Sequence, residues 1–169
     1  MPSGKARRGL RRAQSGFGFV WTLLAVAALG VGLAAIGQLW STQAQREREA
    51  ELLLVGREFR AAITSYYVNS KAGAPAYPVR LTDLLEDRRG PVLRRHLRKM
   101  YVDPITGRED WGLLTTPDGR IRGVHSRSAA MPIKTGNFDP GESQFEKAET
   151  YADWRFEHIP PRVATPSTR

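Results

Sequence analysis

The residue types that could do chemistry in this chain are few, and their spacing speaks for binding more than for catalysis. His96, His125 and His158 are too far apart in sequence to suggest a shared metal. Ser126 and Ser128 follow His125, but a nucleophile, base and acid meet through the fold and not through adjacency. Asp139, Glu142, Glu146, Glu149 and Asp153 offer carboxylate oxygens of the kind calcium takes, yet their spacing matches no calcium loop. A loop site for calcium is the ion reading these acids offer, and no cofactor is assigned. Cysteine is absent, which excludes disulfides, a thiol nucleophile and thiolate zinc sites. There is no glycine-rich phosphate loop, no Gly-x-Ser-x-Gly elbow and no His-Glu-x-x-His helix. Nothing supports an enzyme, and no catalytic residue is named.

The run Arg88 to Lys99 holds six Lys/Arg with His96 and no acid. Its plain reading is a solvated basic face. Its functional reading is a patch for an acidic protein surface, centred on Arg94, Arg95 and Arg98. Aromatic residues are not interleaved with these cations, so base stacking and a nucleic-acid partner are not expected.

Charge is distributed unevenly along the 169 residues. Residues 1–16 carry Lys5, Arg7, Arg8, Arg11 and Arg12 and no acid. Residues 17–40 carry no charge. From Ser41 onward, 21 basic residues (26 less the leader's five) face 17 acidic ones. More than half of the net charge of +9 therefore sits in the leader.

The uncharged run Phe17–Trp40 has only Thr22 and Gln38 as polar side chains. At about 1.5 Å per helical residue it can cross a hydrocarbon core of roughly 30 Å. Trp21 and Trp40 lie near its ends, where indoles favour the interface, and the preceding cations hold the N-terminus in the cytoplasm. The run exceeds the roughly 7–15 apolar residues of a cleaved signal peptide. Ala28 and Gly32, and likewise Gly30 and Ala34, stand four apart on one face, a spacing that lets helix backbones approach closely in lipid.

Beyond the span, Leu52, Val55, Phe59, Ile63 and Tyr66 or Tyr67 recur in steps of three and four, one face of an amphipathic helix. Gly56 interrupts it at a cost of up to about 1 kcal/mol relative to Ala. Gly73 and Pro75 supply the stop. The span and this segment together predict one helix of roughly fifty residues. A short helix is expected around Leu81, Leu84 and Leu85, and another turn or two over Val92–Met100 with Leu93, Leu97 and Met100 on one face. Pro117-Asp118-Gly119 presets the turn of a hairpin between Leu113–Thr116 and Arg120–Ser126. Ala129 to Glu142 reads as loop. Trp154, Phe156 and His158 alternate with Arg155, Glu157 and Ile159 as a last strand. Against Phe59, Ile63 and Tyr66, these short strands have enough apolar surface to form a core. The expected organisation is a basic leader (1–16), a transmembrane helix (17–40), an amphipathic stalk (41–72), a small α+β head (73–159) and a flexible tail (160–169).

This layout resembles a type II secretion pseudopilin, most closely the major, G-type subunit of that type IV pilin-like family. Ser15-Gly16 followed by Phe17 and an apolar helix resembles a prepilin-peptidase site. Tyr77-Pro78 with Leu81–Leu85, then Asp103-Pro104-Ile105-Thr106-Gly107, then Trp111-Gly112-Leu113, follow the order of the family's head motifs. The resemblance implies a pilin-like α+β fold, with a long N-terminal helix packed on a small antiparallel sheet. It also implies cleavage and methylation at Gly16/Phe17, with Gly18 as the alternative cut. The location implied is the bacterial inner membrane, in a single pass, with a cytoplasmic N-terminus and a periplasmic head. The implied partners are other pseudopilins, inner-membrane secretion components and the prepilin peptidase; no small molecule is implied. Two features depart from the family. The glutamate expected four residues after the first mature residue is Trp21 or, for the later cut, Leu23. The family's acidic calcium loop is not visible, since Ser126–Lys134 carries no acid. The first departure implies a minor or end-capping subunit, because an unpaired charge in an apolar filament core is expensive. Other readings are a DNA-uptake or type IV pilus-like minor pilin, and a single-pass anchored periplasmic domain of another function.

Overall fold

A computed structural model describes residues 15–70 and 75–160, without the side chains of 15–17 and 31–39. The fold is α+β. One α-helix, α1 (Ser15–Val68), is followed by a 3-10 helix at Leu81–Leu84 and the strands β1 (Gly112–Thr115) and β2 (Ile121–His125). Two more 3-10 helices, Pro140–Lys147 and Tyr151–Asp153, precede β3 (Phe156–Glu157). The sheet is antiparallel in the order β1-β2-β3. The chain divides into two compact units, Met1–Gln43 and Ala44–Arg169, and α1 contributes to both.

The expected long helix is observed as 54 residues without interruption. In the second unit its apolar stripe is the core face. Leu52, Val55, Phe59, Ala62, Ile63 and Tyr66 are buried in one cluster with Trp111, Ile121, Val124, Phe145, Trp154 and Phe156. Phe59 is fully buried, with Trp111 and Tyr101 packed edge-on at 5.1 and 6.1 Å. Gly56 lies on this face for a steric reason: a Cβ there would stand 2.5 Å from the ring of Phe156.

Side chains cap carbonyls of the last turn of α1. Asn69 Nδ2 donates to Ser65 O at 2.8 Å, and Arg89 Nη2 donates to Tyr66 O at 2.8 Å. The expected stop at Gly73 lies outside the described residues.

The hairpin forms as its turn chemistry predicts. Gly119 takes a positive φ of 78°, and Thr116 N–H donates to Arg120 O at 2.8 Å. The register slips by one residue between Leu114 and Thr115. The Asp103–Gly107 loop is built on a fully buried carboxylate. Asp103 accepts from Ile105 N–H at 2.9 Å, Thr106 Oγ1 at 3.1 Å and Ser126 Oγ at 2.7 Å, and Gly107 supplies φ 69°.

Three expectations are corrected. Val92–Met100 is not helical, and Leu93 is 49% exposed. Its backbone donors are used elsewhere: Arg94 pairs with Asp87 in an isolated bridge, and His96 and Leu97 N–H both donate to Leu84 O at 2.9 Å. The last strand pairs only at Phe156–Glu157 with one further bond, His158 N–H to Arg122 O at 2.9 Å. Its alternation still holds, with Trp154, Phe156 and His158 buried and Arg155 and Ile159 exposed. The expected loop gives way at Pro140 to a 3-10 helix that buries Glu142 and Phe145.

Candidate functional site

Surfaces, rather than a catalytic cleft, carry the site residues. In the first unit, Phe19, Val20, Trp21, Leu23, Leu24, Val26 and Leu29 are all at least half exposed on α1. At 100° per residue these positions cover the whole circumference, so over Phe19–Leu29 no side of α1 is a core face among the described residues. Thr22, the polar exception, returns its hydroxyl to Gly18 O at 2.7 Å. A Cβ at Gly18 or Gly30 would meet nothing within 4 Å among the described residues. Ala28 is exposed beside Gly30. Gly32 and Ala34 lie on the same helix with side-chain surroundings outside the described residues, as do those of Gly16 and Phe17 in its first turn. Among the described residues no helix is long and apolar enough to cross a membrane; positions 31–39 of the apolar run are not among those described in full.

In the second unit the basic run splits into two kinds of cation. Arg89 is half-buried and bonded into the head. Its Nε and Nη2 grip Asp87 at 2.9 and 2.8 Å, its Nη1 reaches Ser70 Oγ at 2.7 Å, and its guanidinium lies 3.5 Å over the Tyr66 ring. The Arg89 bonds hold the Asp87 carboxyl far below the usual carboxylate range, and the Asp87 bond raises the guanidinium in turn. Arg94, Arg95 and Arg98 are exposed, together with Val92 and Leu93. Arg94 Nη1 donates to Asn69 Oδ1, so the loop is tied to the end of α1 and holds its cations outward. The sequence treated the run as one patch; the structure assigns Arg89 to the scaffold and leaves Arg94, Arg95 and Arg98 facing solvent.

A serine, a histidine and an aspartate do line up, though not near His125. Ser65 Oγ stands 2.8 Å from His96 Nδ1, and His96 Nε2 stands 3.1 Å from Asp87 Oδ2. The ionised Asp87 only accepts, so Nε2 carries a proton, and in the neutral ring Nδ1 accepts from Ser65. The histidine side chain is 3% exposed. The neighbouring recess of about 210 Å3, lined by Asn69, Arg89, Gly90, Pro91, Val92 and Arg94, includes neither Ser65 nor His96. The arrangement anchors the basic loop to α1. Sequence reading missed it because its members come from three separate segments; the only signal was a lone histidine in a run rich in cations.

The acids of 139–153 are likewise dispersed. Glu142, 1% exposed, accepts a fork from Arg57 at 2.8 and 2.7 Å, and that hydrogen bonding raises the arginine pKa. Asp139 meets the same arginine at 2.7 Å, and Asp153 is engaged by Thr150. Among the described residues no group of three or more metal-ligating side chains comes together. The buried Glu49 was not anticipated: it accepts from Ile133 and Lys134 N–H and from Tyr151 Oη at 2.8 Å, clamping the 131–134 loop to α1.

No family model matches the chain, and neither a curated protein nor a solved structure is significantly similar to it.

Proposed function

We propose that this chain is a pseudopilin-like structural subunit of a type II protein secretion system. It is held in the bacterial inner membrane by residues 17–40 and enters a short periplasmic pseudopilus beside other pseudopilins. One observation carries the reading. A single 54-residue helix is apolar and uncovered on every side over Phe19–Leu29, and the same helix supplies the core face of a small α+β head from Leu52 to Tyr66. A helix that is apolar all round needs lipid or other helices around it. One that then completes a head's core couples that head to whatever moves the helix. The work is mechanical: helices pack in a filament, and its growth pushes cargo.

Within this reading Gly16 and Phe17 are the processing site, and the i,i+4 pairs Ala28/Gly32 and Gly30/Ala34 are the helix-packing positions. Arg94, Arg95 and Arg98 meet an acidic surface on a neighbouring subunit. Trp21, standing in place of the family's glutamate, leaves a neighbour's amine unneutralised and makes this a minority or terminal subunit. Intact-mass spectrometry of protein extracted from membranes of a host with a prepilin peptidase tests the assignment. The expected species has lost residues 1–16 and gained one methyl, and Gly16→Leu leaves the precursor uncut. A chain retaining Met1, or one beginning at Gln45, overturns it.

A further inference from the structure

A recess of about 400 Å3 lies within the second unit, between α1 and the loop that follows Met131. Ala50 and Leu53 of α1 and Ile133 of the loop give it apolar walls, and Arg46 and Lys134 bring two cations to the same space. The volume falls within the roughly 300–1,000 Å3 of small-molecule sites. Arg46 and Ala50 are exposed and Lys134 is half-buried, so these side chains are open to a ligand from solvent.

The charges around this space do not cancel. Neither Arg46 nor Lys134 forms an ion pair among the described residues. The Lys134 ammonium stands 4.9 Å from the centroid of the Phe138 ring, which holds it in place without neutralising it. Glu49 is the one carboxylate in the lining, and it is buried. Both of its oxygens are engaged: Oε1 accepts from Ile133 N–H and Tyr151 Oη, and Oε2 accepts from Lys134 N–H at 3.2 Å. The same bonds clamp the loop to α1, so the recess is formed before any ligand arrives. Two cations against one anion leave an excess of one positive charge.

A ligand with one negative charge balances that excess, and a cation would add to it. A negative head beside aliphatic walls describes an anionic amphiphile. We propose that this recess binds the phosphodiester head of an anionic phospholipid, with the lipid's first apolar carbons along Ala50, Leu53 and Ile133. The choice of a membrane lipid as the source rests on the reading of residues 17–40 as an anchor. Arg46 follows Trp40, the last residue of that span, by six positions, and cations just outside a span meet anionic headgroups. The recess itself is built only from residues of the second unit.

The test uses the full 15N-labelled chain in neutral maltoside micelles. It follows the amides of Gly136 and Asn137, which line the recess, during titration with dihexanoylphosphatidylglycerol. A saturable shift is expected. Dihexanoylphosphatidylcholine, with the same chains and a head of no net charge, should give none. Dimethyl phosphate, the diester without chains, should bind about tenfold more weakly or worse. Arg46→Gln and Lys134→Gln should each weaken binding about fivefold, the effect of one cation beside an anionic head. Ala50→Glu brings a like charge to the wall from an exposed helix position and should abolish binding. Arg155→Gln, at an exposed cation outside the recess, should change nothing. No saturable shift, an equal response to phosphatidylcholine, or an equal loss in R155Q overturns the proposal. Equal affinity for dimethyl phosphate also overturns it, by assigning the recess to a free phosphodiester. The ligand comparisons need no variant, so a misfolded variant does not shelter the idea. Flotation with phosphatidylcholine vesicles reads the anchor separately. A chain that floats but shows no shift keeps the anchor and loses the lipid site; a chain that shifts but does not float does the reverse.

Discussion

Gly56→Ala sets a propensity against a contact, and the magnitudes decide the sign. Alanine gains about 1 kcal/mol over glycine inside a helix. In this helix the added methyl would stand 2.5 Å from three carbons of the Phe156 ring, well inside the roughly 3.5–4.0 Å of a normal carbon contact. The ring is fully buried and packed edge-on by Phe145 at 5.2 Å, so it has no open side to retreat into. Overpacking of this kind costs about 1–3 kcal/mol. The net expectation is a loss of about 1 kcal/mol, or about 4 °C in Tm for a head of this size. Gly56→Val adds two more carbons and a β-branch and should lose several times as much. The assay is thermal unfolding of the full chain in micelles, followed by circular dichroism. Gly30→Ala is the matched control, since its Cβ meets nothing. Combining G56A with Phe156→Leu should cost less than the two changes summed, because the smaller side chain relieves the contact. If G56A melts at or above wild type, α1 and β3 do not approach as described and the reasoning fails.

Further measurements probe the rest of the head. Phe59→Ala empties a fully buried ring site between Trp111 and Tyr101 and should cost about 3–5 kcal/mol; a melt within a degree or two of wild type would show that α1 does not complete the core. Glu49→Ala leaves the Ile133 and Lys134 amides and the Tyr151 hydroxyl without their acceptor. It should cost about 1–3 kcal/mol and speed hydrogen exchange at those two amides, and unchanged exchange would refute the clamp. Asp87 has a folded pKa below its unfolded value. Its stabilisation is therefore present above the ordinary carboxylate range and is lost as pH falls through that range towards the folded value. Asp87→Asn should flatten this acid slope in urea titrations between about pH 5 and 2, and an unaltered slope would place the effect elsewhere. Burial and the Glu49 bond push Tyr151 up to about 12, so ultraviolet titration should show one tyrosine ionising later than the others, and Tyr151→Phe should remove that step.

Much of the architecture was legible in local pattern. The absence of proline from Ser15–Val68 and the 3-4 spacing from Leu52 to Tyr66 specify one long helix and its buried face. Over so long a stretch the periodic pattern is carried by the helix itself. Pro117-Asp118-Gly119 specifies the hairpin turn for the same reason, since the backbone constraint is carried by the turn residues. The alternation of Trp154, Phe156 and His158 marks the inward side of β3 even where the ladder is short. The charge pattern of leader, apolar run and charged stalk is likewise complete in the sequence, and the proposed anchor and processing site rest on it.

What only the tertiary structure decided was which polar groups meet. Val92–Met100 has helical spacing, but its amides are claimed by Leu84 O and the bridge to Asp87, and a donor already used cannot close a helical turn. Arg89 and Arg94 are indistinguishable in sequence. One is a half-buried partner of Asp87 and Tyr66 and the other is exposed, because desolvation is set by what packs around a cation and not by its neighbours along the chain. Gly56 looked like a tolerated defect until Phe156, one hundred residues on, was placed against it. Ser65–His96–Asp87 and the Glu49 clamp share that origin. Hydrogen bonds and steric contacts act over a few ångströms in space, and separation along the chain carries almost no information about them.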